Sequence, residues 1–206
     1  MQLIFGANGK SGRALIQILP DTADTAAVLR RPSEDAFFAE RGVQTAVADA
    51  LDADALDQVF AQYRPDTVVS FIGGKNEAGI RSDALGNIQL IAAAQAANPQ
   101  ARFVFVTSMG CGEQWDGMSD KFKQFLGEAV RAKTEAEIYL KQSSLRWTIL
   151  RPCGLNDGDD SSYTLADSPE GIPQQYMSRA GLAQAVAAVL GNPDTVGKVY
   201  TVGAAA

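Results

Sequence analysis

The sequence predicts a doubly wound α/β fold, a parallel sheet with helices on both faces. Three observations carry that prediction. Short β-branched apolar runs alternate with longer stretches of helical period, and a glycine-spaced loop joins the first run to the first helical stretch. The composition, 46% hydrophobic and 20% charged over 206 residues, is that of a globular chain with enough apolar surface for a sizeable core.

Taken in order, strands are predicted at 2–5, 26–29, 44–48, 67–71, 103–107, 147–150 and 199–202. Runs such as Thr67-Val-Val-Ser-Phe71 and Phe103-Val-Phe-Val-Thr107 are nearly continuous in apolar side chains, as expected of strands covered on both faces. Helices are predicted between them at 11–19, 33–41, 52–63, 81–97, 119–142 and 178–190, with a sheet order of 3-2-1-4-5-6-7. In the longest helix Phe122, Leu126, Ala129, Lys133, Ala136 and Leu140 recur at spacings of three and four and form one stripe. No linker or change of composition divides the chain, so one domain over 1–206 is expected. The longest irregular stretches, 109–118 and 152–177, follow late strands, where such a sheet builds its ligand crevice. The repeated Ala-Asp-Ala-Leu-Asp at 48–52 and 53–57 has a period that suits neither helix nor strand and is read as coincidence.

Composition also excludes chemistry. The chain has no histidine, which removes the Ser-His-Asp and Cys-His routes to nucleophilic catalysis and the commonest metal ligand. Asp157, Asp159 and Asp160 lack calcium-loop spacing and read as a solvated loop, so no metal is expected. Eighteen Lys and Arg against twenty-four Asp and Glu leave a net charge of −6, and nucleic acid is not an expected partner. No apolar run reaches membrane-spanning length, and Met1 leads into a strand without a charged leader. A cytoplasmic chain is expected, with Cys111 and Cys153 as reduced thiols at the crevice edge.

The informative motif is Gly6-Ala-Asn8-Gly9-Lys10-Ser11-Gly12, placed after a strand and opening a helix. Its glycines permit a tight turn, let backbone approach a pyrophosphate and bring helix against strand, while the helix start offers N–H groups to the anion. A nucleotide-triphosphate loop is excluded, because it needs glycine at position 4 and Ile stands there. Lys10 and Arg13 occupy the first helical turn, where cations are disfavoured unless an anion such as a phosphate answers them. Arg30 and Arg31 end the second strand, where an NAD-specific site would place a carboxylate. Guanidinium groups there suit the 2′-phosphate of NADP.

The chain resembles the atypical short-chain dehydrogenase/reductase family, in the small NAD(P)-binding group that includes NmrA-like proteins and flavin/biliverdin-IXβ reductases. The resemblance rests on the glycine motif, Asp49-Ala50-Leu51-Asp52, Phe103-Val-Phe-Val-Thr107-Ser108, Lys133-x-x-Ala136-Glu137, Trp147-Thr-Ile-Leu-Arg151-Pro152 and Ser178-Arg179. It implies a Rossmann-type sheet. It also implies that Asp49 and Ala50 hold the adenine, that Ile72 and Gly73 line its sugar and pyrophosphate, and that Thr107 and Ser108 face the nicotinamide. Asn8, Lys10, Ser11 and Pro152 complete the candidate cofactor-binding set. Asp49 reads equally well as a helix-entry residue. Lys133 interrupts an apolar stripe, so it either snorkels outward or reaches the crevice to bind the nicotinamide ribose.

Typical members place a proton-donating Tyr four residues before this Lys, but Ala129 stands there and Tyr139 lies on the other side. Ser108 and Lys133 are the remaining catalytic candidates. They suit NADPH-dependent hydride transfer to a planar conjugated acceptor, a flavin or linear tetrapyrrole, with the proton taken from solvent. Met109, Trp115, Tyr163 and Met177 are the candidate apolar wall for that acceptor. The alternatives are an NmrA-like NADP(H)-binding redox sensor and a quinone reductase or epimerase-like enzyme.

Overall fold

The computed structural model describes residues 1–174 and 176–205. Its centre is β1 (Gln2–Phe5), whose alternating side chains feed two cores. Ile4 faces α1 (Lys10–Ile18) and α6 (Arg179–Leu190), packing with Leu15, Ile16, Leu182 and Val186. Leu3 and Phe5 face α3 (Ala53–Tyr63), α4 (Leu85–Ala97) and α5 (Asp120–Lys141), packing with Leu56, Phe60, Leu90, Ile91 and Leu140. A period of two along the strand therefore distributes apolar surface to both helical layers.

Around β1 stand β2 (Thr25–Leu29), β3 (Gln44–Val47), β4 (Thr67–Ser70), β5 (Arg102–Val106) and β6 (Arg146–Pro152). In chain order these precede β7 (Gly154–Asn156), β8 (Thr164–Ala166), β9 (Tyr176–Ser178) and β10 (Lys198–Gly203), with the short α2 (Phe37–Glu40) before β3. The main sheet runs β3-β2-β1-β4-β5-β6-β10-β8. The seven strands predicted from sequence take the predicted order, β10 being the seventh, and all pair in parallel. It is a Rossmann-like sheet.

Three strands have no counterpart in the sequence prediction. β8 closes the edge antiparallel to β10, and β7 pairs with β9 in a separate two-stranded parallel sheet. Each is three residues long, too short for alternation to show in sequence. Two predicted helices start late. The segment before α2 is held as a turn, the Asp35 carboxylate accepting from the Phe37 amide at 2.9 Å and the Ser33 hydroxyl from the Asp35 amide at 3.3 Å. Such local side-chain bonds compete with helix. α4 begins at Leu85 rather than 81, because Asp83 turns back to the Gly74 amide at 2.9 Å.

The stripe predicted on α5 also shifts. Leu126 is 47% exposed, whereas Gly127, Val130, Ala136, Glu137 and Leu140 are buried, so the inward face contains a carboxylate. Both thiols lie in the core rather than at the crevice edge. Burial pushes Cys111 up to about 11 and raises Cys153 as well. At the end of the sheet away from the glycine loop, the buried Arg102 guanidinium donates to the carbonyls of Arg146 and Val189 and the hydroxyls of Thr148 and Thr195. It ties α6 to the sheet, and burial lowers its pKa to about 10. Among the described residues no helix is long and apolar enough to cross a membrane.

Candidate functional site

The carboxyl ends of β1 to β6 open into a two-lobed cleft whose lobes share Gly6, Gly9 and Phe71. The larger lobe, about 620 Å³, is lined by Gly6, Asn8, Gly9, Arg30, Arg31, Asp49, Ala50, Ile72 and Gly73, among others. The smaller, about 320 Å³, adds Lys10, Ser11, Gly12, Thr107, Lys133, Pro152, Leu155 and Arg179. Every member of the cofactor-binding set expected from sequence thus lines one connected groove. Parallel strands bring these residues together because each loop leaves its strand on the same edge.

The glycine loop has a distinct steric reason at each end. Gly6 has φ +72° and lies against the Phe71 backbone, where an added Cβ would stand 3.0 Å from the carbonyl carbon. A Cβ on Gly12 would fall 2.6 Å from both the Ala7 Cα and the Gly6 carbonyl oxygen. Only glycine lets α1 start so close to β1. Gly9 caps α1 without a side-chain acceptor, so the first-turn N–H groups keep their donor capacity for a bound anion.

Lys133 does not snorkel. Its side chain is 13% exposed, its Nζ donates to the Ile72 carbonyl at 2.9 Å, and the Asp83 carboxylate lies at 3.4 Å. Asp83 is itself buried, accepting from the Gly74 amide at 2.9 Å and from Arg81 at 2.8 Å. Asn87 completes the clasp by donating to the Asp83 carbonyl at 3.0 Å and accepting from the Ser70 hydroxyl at 2.6 Å. Asp83 and Asn87 fasten the wall of the groove. Sequence reasoning missed both, although a lysine on an apolar face signals that a buried partner exists.

Thr107 belongs to a second network. Its hydroxyl donates to Glu137 at 2.7 Å, Glu137 pairs with Arg151 at 2.6 Å, and Arg151 also reaches Glu113 at 2.5 Å. Arg151 and Glu137 are almost wholly buried. Burial alone would lower the Arg151 pKa, but its hydrogen bonds to the Glu137 and Glu113 carboxylates outweigh it and hold the guanidinium above its usual value. The hydroxyl proton of Thr107 is thereby committed inward.

Other expected residues stand elsewhere. Ser108 lines neither lobe, and its hydroxyl donates to the Met109 carbonyl at 2.9 Å. Met109 and Tyr163 pack against the core that contains the buried Met177, because β9 turns that side chain inward. Trp115 lies apart, its ring under Lys123 at 5.5 Å and Arg131 at 4.8 Å. Three of the four thus meet at one core, and Trp115 does not join them.

The first-turn cations are answered by protein carboxylates. Arg13 pairs with Asp35 at 2.6 Å, and Lys10 with Asp157 at 2.5 Å. Asp157 also pairs with Arg179, while it stays exposed with Asp159 and Asp160, as the solvated loop read from sequence expects. The Lys10 hydrogen bond and the Arg179 charge hold its carboxyl below the usual range. Arg31 pairs with Glu77 at 2.6 Å, whose hydrogen bond raises the Arg31 pKa. Among the described residues Arg30 makes no ion pair and stays exposed at the rim.

Comparison with known proteins agrees with this geometry. The family model described as NAD(P)H-binding matches residues 6–193, almost the whole of the sheet and its cleft. The chain belongs to this NAD(P)H-binding family. Among solved structures, this NAD(P)H-binding chain is similar to ChuY, an anaerobillin reductase from Escherichia coli O157:H7, with 30% identity, a TM-score of 0.81, and 98% and 95% of the two chains covered. It shares the fold of a short-chain dehydrogenase/reductase from Veillonella parvula solved in complex with NADP, at 19% identity and a TM-score of 0.74, covering 98% and 93%. A curated relative, the uncharacterized sugar epimerase YhfK of Bacillus subtilis, is 24% identical over 96% of this chain and 91% of that protein.

An NAD(P) dinucleotide suits the residues present. The groove has the extent for two joined nucleotides, the loop has no Cβ where backbone must approach a pyrophosphate, and the uncapped helix start offers donors.

Proposed function

We propose that the chain is an NADPH-dependent reductase that passes hydride to a planar conjugated acceptor, a flavin or linear tetrapyrrole, while solvent supplies the proton. The observation that carries this reading is the acid-poor smaller lobe. Among its described lining residues there is no carboxylic acid, tyrosine or cysteine. The Thr107 proton is held by Glu137, and Lys133 is held by Ile72 and Asp83. Redox chemistry at a carbinol carbon needs a positioned acid or base, whereas a conjugated acceptor needs chiefly orientation. The similarity to an anaerobillin reductase supports the same acceptor class.

When bound, the dinucleotide supplies the hydride. The residues of this chain bind and orient. The α1 start receives the pyrophosphate, Asp49, Ala50, Ile72 and Gly73 hold the adenosine side, and Lys133, Thr107 and Pro152 bound the nicotinamide side. Arg30 and Arg31 receive the 2′-phosphate at the rim. Of the two, Arg30 is the freer, because Arg31 must leave Glu77. Replacing both by alanine is expected to weaken NADPH far more than NADH, by about 1.5–3 kcal/mol for each charge-assisted hydrogen bond removed. Titration of both dinucleotides checks this, and equal affinities in the unaltered chain would refute the NADP preference.

The reaction itself is tested by single-turnover hydride transfer to flavin and bilin with saturating NADPH. Ser108→Ala is expected to slow it about tenfold at most, near 1.4 kcal/mol, since this hydroxyl bonds the Met109 carbonyl and has no adjacent base. Complete loss with cofactor affinity unchanged would make Ser108 an essential acid and refute the solvent-proton mechanism. Absence of transfer to any acceptor, with strong discrimination between oxidised and reduced dinucleotide, would support the redox-sensor reading instead.

A further inference from the structure

The smaller lobe is ringed by positive charge in an acidic chain. Lys10, Lys133 and Arg179 line it, while the chain as a whole carries a net charge of −6. Lys133 is committed to the groove wall. Lys10 and Arg179 instead share one carboxylate, Asp157, which reaches them from outside the lining.

Backbone geometry sets this arrangement. In the β7–β9 pair Asn156 stands opposite Ser178, so the next residues, Asp157 and Arg179, leave the two strands side by side. The Asn156 side chain accepts from the Gly158 amide at 2.9 Å, shaping the turn that carries Asp157. Ser178 donates to the Asp160 carbonyl and accepts from the Gly181 amide, fastening the same turn to the start of α6. Lys10 comes from the start of α1, which packs beside α6 on the same face of the sheet. The carboxylate therefore links the start of α1, after the glycine loop, to the start of α6, through two residues that line the lobe. Lys10 and Asp157 are 69% and 58% exposed, and exposed ion pairs are weak and screened by salt. Lys10 therefore gives up Asp157 at little cost, while Arg179, whose side chain is 24% exposed, exchanges one anionic partner for another.

We propose that Arg179, with Lys10, is the docking site for a carboxylate or phosphate carried by the acceptor, and that Asp157 is an internal stand-in which that anion displaces. The word acceptor rests on the reductase reading above, while the anion site rests on the geometry. Two probe pairs share a conjugated core and differ in charge. FMN and riboflavin report a phosphate; a dicarboxylic linear tetrapyrrole and its dimethyl ester report carboxylates.

Binding of each is measured by calorimetry with saturating NADP⁺ present, so that no turnover is needed. One pair identifies the anion by showing the anionic member bound at least about tenfold more tightly than its neutral partner, as expected for charge-assisted bonds. Arg179→Gln is expected to erase that difference. Asp157→Asn is expected to act in the opposite sense, tightening the anionic member about three- to fivefold, the upper range for release of an exposed ion pair. Neutral probes should be unaffected by either change. Equal effects on charged and neutral probes, or an effect on NADP⁺ affinity alone, would overturn the proposal and assign both cations to the dinucleotide. Charge-selective binding without hydride transfer would sink the reductase reading but keep the anion site. Hydride transfer without charge selectivity would do the reverse.

Discussion

Glu137→Ala should lower the free energy of unfolding by about 3–5 kcal/mol, the usual cost of removing one partner from a buried ion pair. The carboxylate is 1% exposed and its Arg151 partner has no exposure, so solvent cannot take the place of the missing carboxylate. Arg151 would keep only Glu113, a carboxylate that is 70% exposed and therefore weakly coupled. Thr107 would lose its carboxylate acceptor at the same time and keep only the longer bond to the Leu150 carbonyl at 3.4 Å. Glu113→Ala provides the contrast and should cost less than about 1 kcal/mol, because its carboxylate is mostly hydrated already. Urea unfolding of the three proteins measures both quantities. A Glu137→Ala protein within about 1 kcal/mol of the parent would show that the buried network is not coupled to folding as its burial implies.

Gly12→Val should abolish dinucleotide binding, raising the NADPH dissociation constant by about a hundredfold or more, equivalent to roughly 2.7 kcal/mol. Its added Cβ would lie 2.6 Å from the Ala7 Cα and the Gly6 carbonyl, both backbone atoms with no rotamer in which to retreat. α1 must then move away from β1, carrying its first-turn N–H groups with it. Stability should also fall by about 1–3 kcal/mol, as for other overpacked sites. Gly117→Ala is the matching control, since its Cβ would meet nothing closer than the Gln114 carbonyl at 3.7 Å. Calorimetric titration with NADPH distinguishes the two, and tight binding by Gly12→Val would mean that α1 does not need its close approach.

How much was legible from sequence depended on how local the signal was. Thr67-Val-Val-Ser reads as β4 because four adjacent residues carry the pattern, and the loop from Gly6 to Gly12 reads as an anion cradle because its spacing is its geometry. β7, β8 and β9 carry no comparable signal in three residues each. Their existence depends on partners, as Asn156 facing Ser178 across 22 positions illustrates. The same holds for the stripe on α5. Spacing alone marked Leu126 as inward, whereas the packing surface offered by the sheet turned Glu137 inward instead.

Within the site, the sequence by itself determined which loops would meet. Parallel strands of known order place every carboxyl end on one edge, so Gly6, Arg30, Asp49, Ile72, Thr107 and Pro152 had to line one groove. Only the tertiary structure decided what each side chain does there. Lys133 became a clamp on Ile72 because Asp83 lies beside it, Ser108 turned to its own loop, and Lys10 met Asp157 rather than open solvent. The physical reason is the range of the forces. Backbone pattern and glycine sterics act over a few residues and can be read along the chain. Burial and ion pairing act between residues separated by up to 147 positions, and those are chosen only once the fold has brought them within a few ångströms.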